Sequence, residues 1–246
     1  MPYPKLEYKY LLPASNADVL RRVLLRHMQL DTYARREEEG AYTVRSVYFD
    51  SPRMSAYREK VEGVRHRRKY RIRAYADAQQ DSIAFLEIKE KNGAYLTKYR
   101  SGLALAEVED LVRDRAIPRH IRDMYGDGIH PSNAGMFFRD VDRKGLRPVV
   151  LIVYDREAYT VGDAGDLRVT IDKGLRSLRV TSPVAFGGAS NHVHDGELFS
   201  VMRQHYILEV KFTRGVPGWL RNELHLQRLR RLALSKYTLG LDAHAH

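Results

Sequence analysis

The chain has 246 residues, with 42 Lys and Arg against 31 Asp and Glu, a formal charge of +11, and no cysteine. Those numbers exclude a disulfide framework, a Cys-ligated zinc and a thiol nucleophile, and 43% apolar content excludes a disordered chain. No apolar run approaches the roughly 18 residues of a membrane span, and Met1-Pro2-Tyr3-Pro4-Lys5 opens no signal-peptide pattern. The expected location is cytoplasmic.

The first predicted strand is Lys5–Leu12. A helix over Ser15–Leu30 follows Pro13, with Ser15 and Asp18 spaced as a capping box and Val19, Leu20, Val23, Leu24 and Met28 as its apolar stripe. Alternation then predicts strands at Tyr42–Asp50, His66–Tyr75, Ile83–Lys91 and Ala94–Leu103, the last two joined by the Asn92-Gly93 turn. Helices are expected at Ala104–Arg115, which stops before Pro118, and at Asn133–Lys144. Strands at Pro148–Ala158 and Leu167–Asp172, a Gly/Ser loop at Ser182–Asn191 and a strand at Tyr206–Thr213 come next. A helix over Trp219–Leu234, started by Pro217, ends the series. No linker or repeat divides the chain, so residues 1–246 read as one domain. Strands and helices do not alternate regularly, so the class is α+β, an antiparallel sheet with covering helices, and not a doubly wound parallel sheet.

Residues two apart share a face of a strand. Glu7 and Lys9 share one face of the first strand, and Arg67, Lys69, Arg71 and Arg73 line up on the third. Glu87, Lys89 and Lys91 share a face of the fourth; Lys98 and Arg100 of the fifth; Tyr154 and Arg156 of the sixth. Arg168, Thr170 and Asp172 follow on the seventh, and Glu209 and Lys211 on the last. Amphipathic helices need an apolar surface to cover, and the apolar face of this sheet supplies it. Eight antiparallel strands can close into a barrel wide enough for a small ligand, with the charged faces inward and the helices outside. A basic lumen cannot be dry, because unpaired buried ammonium and guanidinium groups are prohibitively costly. It needs a polyanion, and Glu7, Glu87 and Glu209 offer oxygens to a divalent cation that would bridge to phosphate. The expected fold is thus an eight-stranded antiparallel β-barrel acting as a phosphate tunnel.

Glu7-Tyr8-Lys9-Tyr10, Ser46-Val47-Tyr48-Phe49-Asp50, Lys69-Tyr70-Arg71-Ile72-Arg73 and Phe85-Leu86-Glu87-Ile88-Lys89 carry a family resemblance. Tyr154-Asp155-Arg156, Leu167-Arg168-Val169-Thr170-Ile171-Asp172, Leu208-Glu209-Val210-Lys211-Phe212 and Ser235-Lys236-Tyr237 continue it. In that order the motifs resemble the VTC domain family, the polyphosphate-polymerase branch of the triphosphate tunnel metalloenzymes. The resemblance implies an ATP–polyphosphate phosphotransferase, with Lys9, Arg71, Arg73, Lys89, Lys98, Arg156, Arg168 and Lys236 on phosphates. It implies hydroxyl donors at Tyr154 and Ser235, further contacts at Arg100 and Lys211, and Mn²⁺ or Mg²⁺ held by Glu209, with Glu87 and Glu7 as further carboxylates. The wider superfamily opens with Glu-x-Glu-x-Lys, whereas Lys5 stands at the first position here. Losing that carboxylate argues against a two-metal hydrolase.

Two other readings stay open: a tunnel hydrolase of tripolyphosphate or nucleoside triphosphates, and a non-catalytic polyphosphate-binding module. The expected partners are ATP and inorganic polyphosphate. Nucleic acid is not expected, because Glu87 and Glu209 interrupt the basic surface. No P-loop and no Gly-x-Ser-x-Gly elbow occurs in the chain.

Overall fold

A computed structural model describes residues 6–75, 83–93, 95–108, 110, 131–162, 166–182 and 195–245. In chain order its elements are β1 (Leu6–Pro13), α1 (Ala17–His27), β2 (Gln29–Leu30), β3 (Tyr42–Asp50), α2 (Ser55–Val61), β4 (His66–Tyr75), β5 (Ile83–Asn92) and β6 (Tyr95–Ala104). After these come α3 (Pro131–Lys144), β7 (Arg147–Thr160), β8 (Leu167–Arg179), β9 (Phe199–Ser200), β10 (His205–Phe212), α4 (Gly218–Leu226) and α5 (Lys236–Asp242). Eight strands pair in the order β1-β10-β8-β7-β3-β4-β5-β6, with β2 on β7 and β9 on β8. Strands β1 with β10, β10 with β8, β2 with β7, β3 with β4, β4 with β5 and β5 with β6 all pair antiparallel, as is common for strands with one buried face.

The chain divides into two compact units that interleave in sequence. The first contains residues 1–43, 154–175 and 200–235. There Leu20, Leu24 and Met28 after and along α1, with Leu220 and Leu224 of α4, pack on Tyr10, Leu12, Val169, Ile171, Leu208 and Val210 of the strands. The second contains residues 44–153, 176–199 and 236–246. Its α3 buries Ala134, Phe137, Phe138 and Val141 against Val47, Phe49, Tyr70, Ile72, Leu86, Ile88 and Leu103. In each unit the helices therefore take the apolar face of the strands, which leaves the charged positions on the opposite face. No helix among the described residues is long and apolar enough to cross a membrane.

Four local expectations need correction. The Ser15–Asp18 capping box does not form: Ala14–Asn16 is a 3₁₀ turn, and Asp18 pairs with Arg21 at 2.6 Å. Gln29 and Leu30 leave the helix to pair with Thr160 and Tyr159. The last helix of the prediction ends at Leu226, not Leu234. Arg228 adopts φ 53°, and Leu232 N–H donates to the Lys9 carbonyl at 2.8 Å, so the edge of β1 captures the segment that would have continued the helix. Strand β8 runs on to Arg179, through Gly174 at φ 60°, where the sequence suggested an end at Asp172. The Ala104–Arg115 helix lies partly, and the Ser182–Asn191 loop almost wholly, outside the described residues.

Candidate phosphate and metal site

In the second unit the register turns three strands into a ladder of charge. Arg71 of β4 and Arg100 of β6 stand on either side of Glu87 of β5, and one rung along, Lys69 and Lys98 flank Lys89. Glu87 is buried. Its Oε2 accepts from Arg71 Nε at 2.7 Å and lies 2.5 Å from Arg71 Nη2. Its Oε1 accepts from Arg100 Nε at 2.8 Å and lies 2.7 Å from both Arg100 Nη2 and Lys98 Nζ. Burial alone would raise the Glu87 carboxyl, but Arg71, Arg73, Lys98 and Arg100 hold it well below the carboxylate range. Three lysines on one rung repel one another, a cost that sheet pairing does not recover by itself.

Tyrosines border this ladder. Arg71 Nη1 donates to the Tyr48 hydroxyl at 2.8 Å, and Arg73 Nε donates to Ser46 Oγ at 3.0 Å. Arg100 Nη2 donates to the Tyr75 hydroxyl at 2.9 Å. Burial pushes the Tyr75 phenol up, yet Arg73, Arg100 and Lys98 outweigh it and bring it down to about 7. Burial and the neighbouring guanidiniums bring the Lys98 ammonium down to about 8 against the opposing pull of Glu87. The Tyr48 ring stacks on Tyr237 with centroids 5.1 Å apart, and Lys69 Nζ sits 5.5 Å over the Tyr237 ring. Tyr237 donates to Asp50 at 2.5 Å, and that buried carboxylate also accepts the backbone N–H groups of Ser51, Ala56 and Tyr57. Asp50 thus fixes the start of α2 and the Tyr237 ring together. Lys236, buried at the start of α5, adds a charge that acts on Tyr48.

The first unit carries a different pattern. Register sets Glu7, Lys211 and Arg168 side by side on β1, β10 and β8, and Lys9, Glu209 and Thr170 on the next rung. Lys9 Nζ lies 3.1 Å from Glu7 and 3.5 Å from Glu209, while Lys211 Nζ lies 2.6 Å from Glu209 and 3.7 Å from Glu7. Lys9 Nζ also donates to the Leu234 carbonyl at 3.4 Å. Arg156 makes a two-pronged bond to Asp172, 2.7 and 2.8 Å, and its guanidinium lies 5.3 Å from the centre of the Tyr154 ring. Arg168 donates to Asp31 at 2.8 Å. Tyr154 and Ser235 are buried. Basic and acidic groups are nearly matched on this face, whereas the second unit sets one carboxylate, Glu87, inside a field of cations.

The VTC domain family model matches residues 5–244. The chain belongs to the VTC domain family. Solved structures with a similar fold include a candidate adenylate cyclase of Bacillus halodurans, 12% identical, with a TM-score of 0.50 over 95% of this chain and 94% of that one. A candidate adenylyl cyclase of Hippeastrum, described as having a dominant triphosphatase activity, is 13% identical, with a TM-score of 0.51 over 97% and 95%. At such identities the likeness is one of fold alone.

The family resemblance implies a divalent metal ion, and among the residues of this VTC domain the carboxylates of Glu7 and Glu209 fit one. The two carboxylates share both ammonium groups, so their oxygens converge on positions already occupied by cationic charge. Next to Glu209 in register, the Thr170 hydroxyl is buried and has no hydrogen-bond partner among the described residues. Two hard oxygen donors with the remaining positions left to water or phosphate is a common arrangement for Mg²⁺. Among the described residues no group of three or more His, Cys, Asp or Glu gathers as a metal cluster. Glu87, the third carboxylate of the sequence reading, is surrounded by Arg71, Lys98 and Arg100.

Strand parity brought out the cations of this VTC domain but not their partners. Asp172, Tyr48, Tyr75, Asp50, Tyr237 and Thr170 were assigned no role from sequence. Asp172 shares its face with Arg168 and Thr170, a signal that was available. The others depend on register and on α5.

Proposed function

We propose that this VTC domain is a divalent-metal-dependent ATP–polyphosphate phosphotransferase acting as a single domain. The observation that carries the reading is the pair of rungs Arg71–Glu87–Arg100 and Lys69–Lys89–Lys98, five cations around one carboxylate on one sheet face. A lone phosphate does not match that excess; a phosphate chain does. Arg71, Arg73, Lys89, Lys98, Arg100 and Lys236 neutralise and orient phosphate oxygens, and the family resemblance adds Lys9, Lys211, Arg156 and Arg168 of the first unit as phosphate contacts. Tyr154 and Ser235 supply hydroxyl donors. Mn²⁺ or Mg²⁺ at Glu7 and Glu209 draws charge from phosphate oxygens when bound.

A terminal oxygen of the polyphosphate chain attacks the γ-phosphorus of ATP in line. The bond from that phosphorus to the bridging β–γ oxygen breaks, ADP leaves, and the chain is one phosphate longer. Positioning and charge neutralisation supply the acceleration, and no protein nucleophile is required.

A tunnel triphosphatase is the second reading, favoured by the activity described for the Hippeastrum protein. Lys5, in place of the superfamily's first glutamate, weighs against it. Incubation with ATP and Mn²⁺, followed by measurement of ADP, free phosphate and long-chain polyphosphate together, separates the readings. Polyphosphate with stoichiometric ADP is expected. Free phosphate without polymer makes the protein a hydrolase, and intact ATP with bound polyphosphate makes it a binding module.

A further inference from the structure

We propose that Glu87 is a positioning residue, which aims Arg71, Lys98 and Arg100 at phosphate and takes no part in holding the metal. The inference rests on the reading of this face as the polyphosphate site and assigns Glu87 a role within it.

Both carboxylate oxygens of Glu87 are engaged. Oε2 is held by Arg71, and Oε1 is shared by Arg100 and Lys98. The side chain is 1% exposed. A divalent ion binding there would have to displace a two-pronged guanidinium contact on each side and enter a field of positive charge, which repels it. The contrast with Glu7 and Glu209 is physical: there each carboxylate meets lysine ammonium groups, compact charges on flexible stems that yield to a metal ion.

What Glu87 supplies is direction. A guanidinium is a planar fork, and binding Nε and one Nη to a carboxylate fixes the plane and the heading of the opposite edge. The register puts Arg71 and Arg100 on opposite sides of Glu87, so one side chain orients both forks. It also draws Lys98 diagonally off the all-lysine rung. Removing the carboxylate would leave these cations to spread apart under mutual repulsion.

Simple electrostatics and positioning predict opposite signs. A carboxylate within a phosphate site repels the ligand, so Glu87→Gln should tighten tripolyphosphate binding if charge alone matters. If positioning dominates, affinity falls, by roughly 10- to 100-fold, the scale at which orienting partners act on binding groups. Glu87→Asp keeps the charge and shortens the arm, so it should lose affinity as well and guards against a glutamine variant that does not fold.

The test measures tripolyphosphate affinity by calorimetry in EDTA, and separately Mn²⁺ affinity by electron paramagnetic resonance without phosphate. Wild type and both variants are compared after circular dichroism establishes that they are folded. The expected result is weaker tripolyphosphate binding in both variants with Mn²⁺ affinity unchanged. Tighter tripolyphosphate binding by Glu87→Gln, or wild-type affinity in Glu87→Asp, would overturn the positioning role while leaving the site intact. A loss of Mn²⁺ affinity would overturn it by making Glu87 a ligand. Wild-type protein that ignores tripolyphosphate would overturn the functional reading, and the role of Glu87 with it.

Discussion

If the second unit binds polyphosphate as proposed, Tyr75 should make that binding depend on pH in a direction opposite to that of the ligand's own ionisation. Its phenol is brought from an ordinary value near 10 to about 7 by Arg73, Arg100 and Lys98 acting against burial. Between pH 7 and 9 the ligand-free site therefore gains a phenolate among its cations. A bound phosphate chain offsets those cations and returns the phenol towards 10, so binding takes up a proton. Each pH unit over which the free site holds one proton fewer than the complex costs about tenfold in affinity. From pH 7 to 9 the ceiling is about 100-fold, with Lys98 adding to it above about 8. The contribution of Lys98 is the smaller, because 45% of its side chain is exposed and solvent screens it. Calorimetric titration of tripolyphosphate in EDTA from pH 6 to 9.5, on wild type and Tyr75→Phe, isolates the effect, since ligand ionisation is common to both. Wild-type affinity should fall by 10- to 100-fold relative to the variant. Folding stability moves the other way: a depressed phenol contributes fully above about pH 10 and loses its contribution as pH falls through about 7. A constant ratio of affinities between wild type and variant would refute the reasoning.

Asp172→Asn should destabilise the fold by about 3–5 kcal/mol, because it leaves the buried Arg156 guanidinium without its two-pronged anion; denaturant melts report it. Thr170→Val removes a buried hydroxyl that has no hydrogen-bond partner among the described residues, so the variant should be as stable as wild type or up to about 1 kcal/mol more so. The same variant should turn over more slowly with Mn²⁺ and ATP if that hydroxyl meets ligand oxygens. Gly240→Ala would put a methyl group 2.1 Å from Ile152 Cδ1 and 3.3 Å from Ser177 Cβ, both buried. A loss of about 1–3 kcal/mol is expected, with partial recovery in the Ile152→Val background measured by thermal melting.

Where alternation was unbroken, the sequence was enough. Strands β3 and β4 have the bounds expected of Tyr42–Asp50 and His66–Tyr75, and in β4 Tyr70, Ile72 and Ala74 alternate with Lys69, Arg71 and Arg73. Strand β8 outran its prediction because Gly174 looks like a break, while the backbone passes through it at φ 60°. The short α5, Lys-Tyr-Thr-Leu-Gly-Leu-Asp, has poor helix propensity and exists because Tyr237, Thr238, Gly240 and Leu241 are buried. At the site, parity identified Arg71, Lys98 and Arg100 as neighbours in kind. Their convergence on Glu87 follows from which residue of β5 faces which residue of β4 and β6, and a single strand's sequence does not contain that.

The interleaving of the two units bears on how the protein is made. Strands β4, β5 and β6 follow one another and pair as successive neighbours, so their ladder can form while synthesis continues. Strand β1 leaves the ribosome first but pairs with β10, Leu6 against Phe212. About two hundred residues must be translated in between, roughly 10–40 s at ordinary rates. For that interval Leu12 and Tyr10 have no β10 partner, so nascent β1 is expected to be exposed to chaperones and to aggregation until β10 has been made.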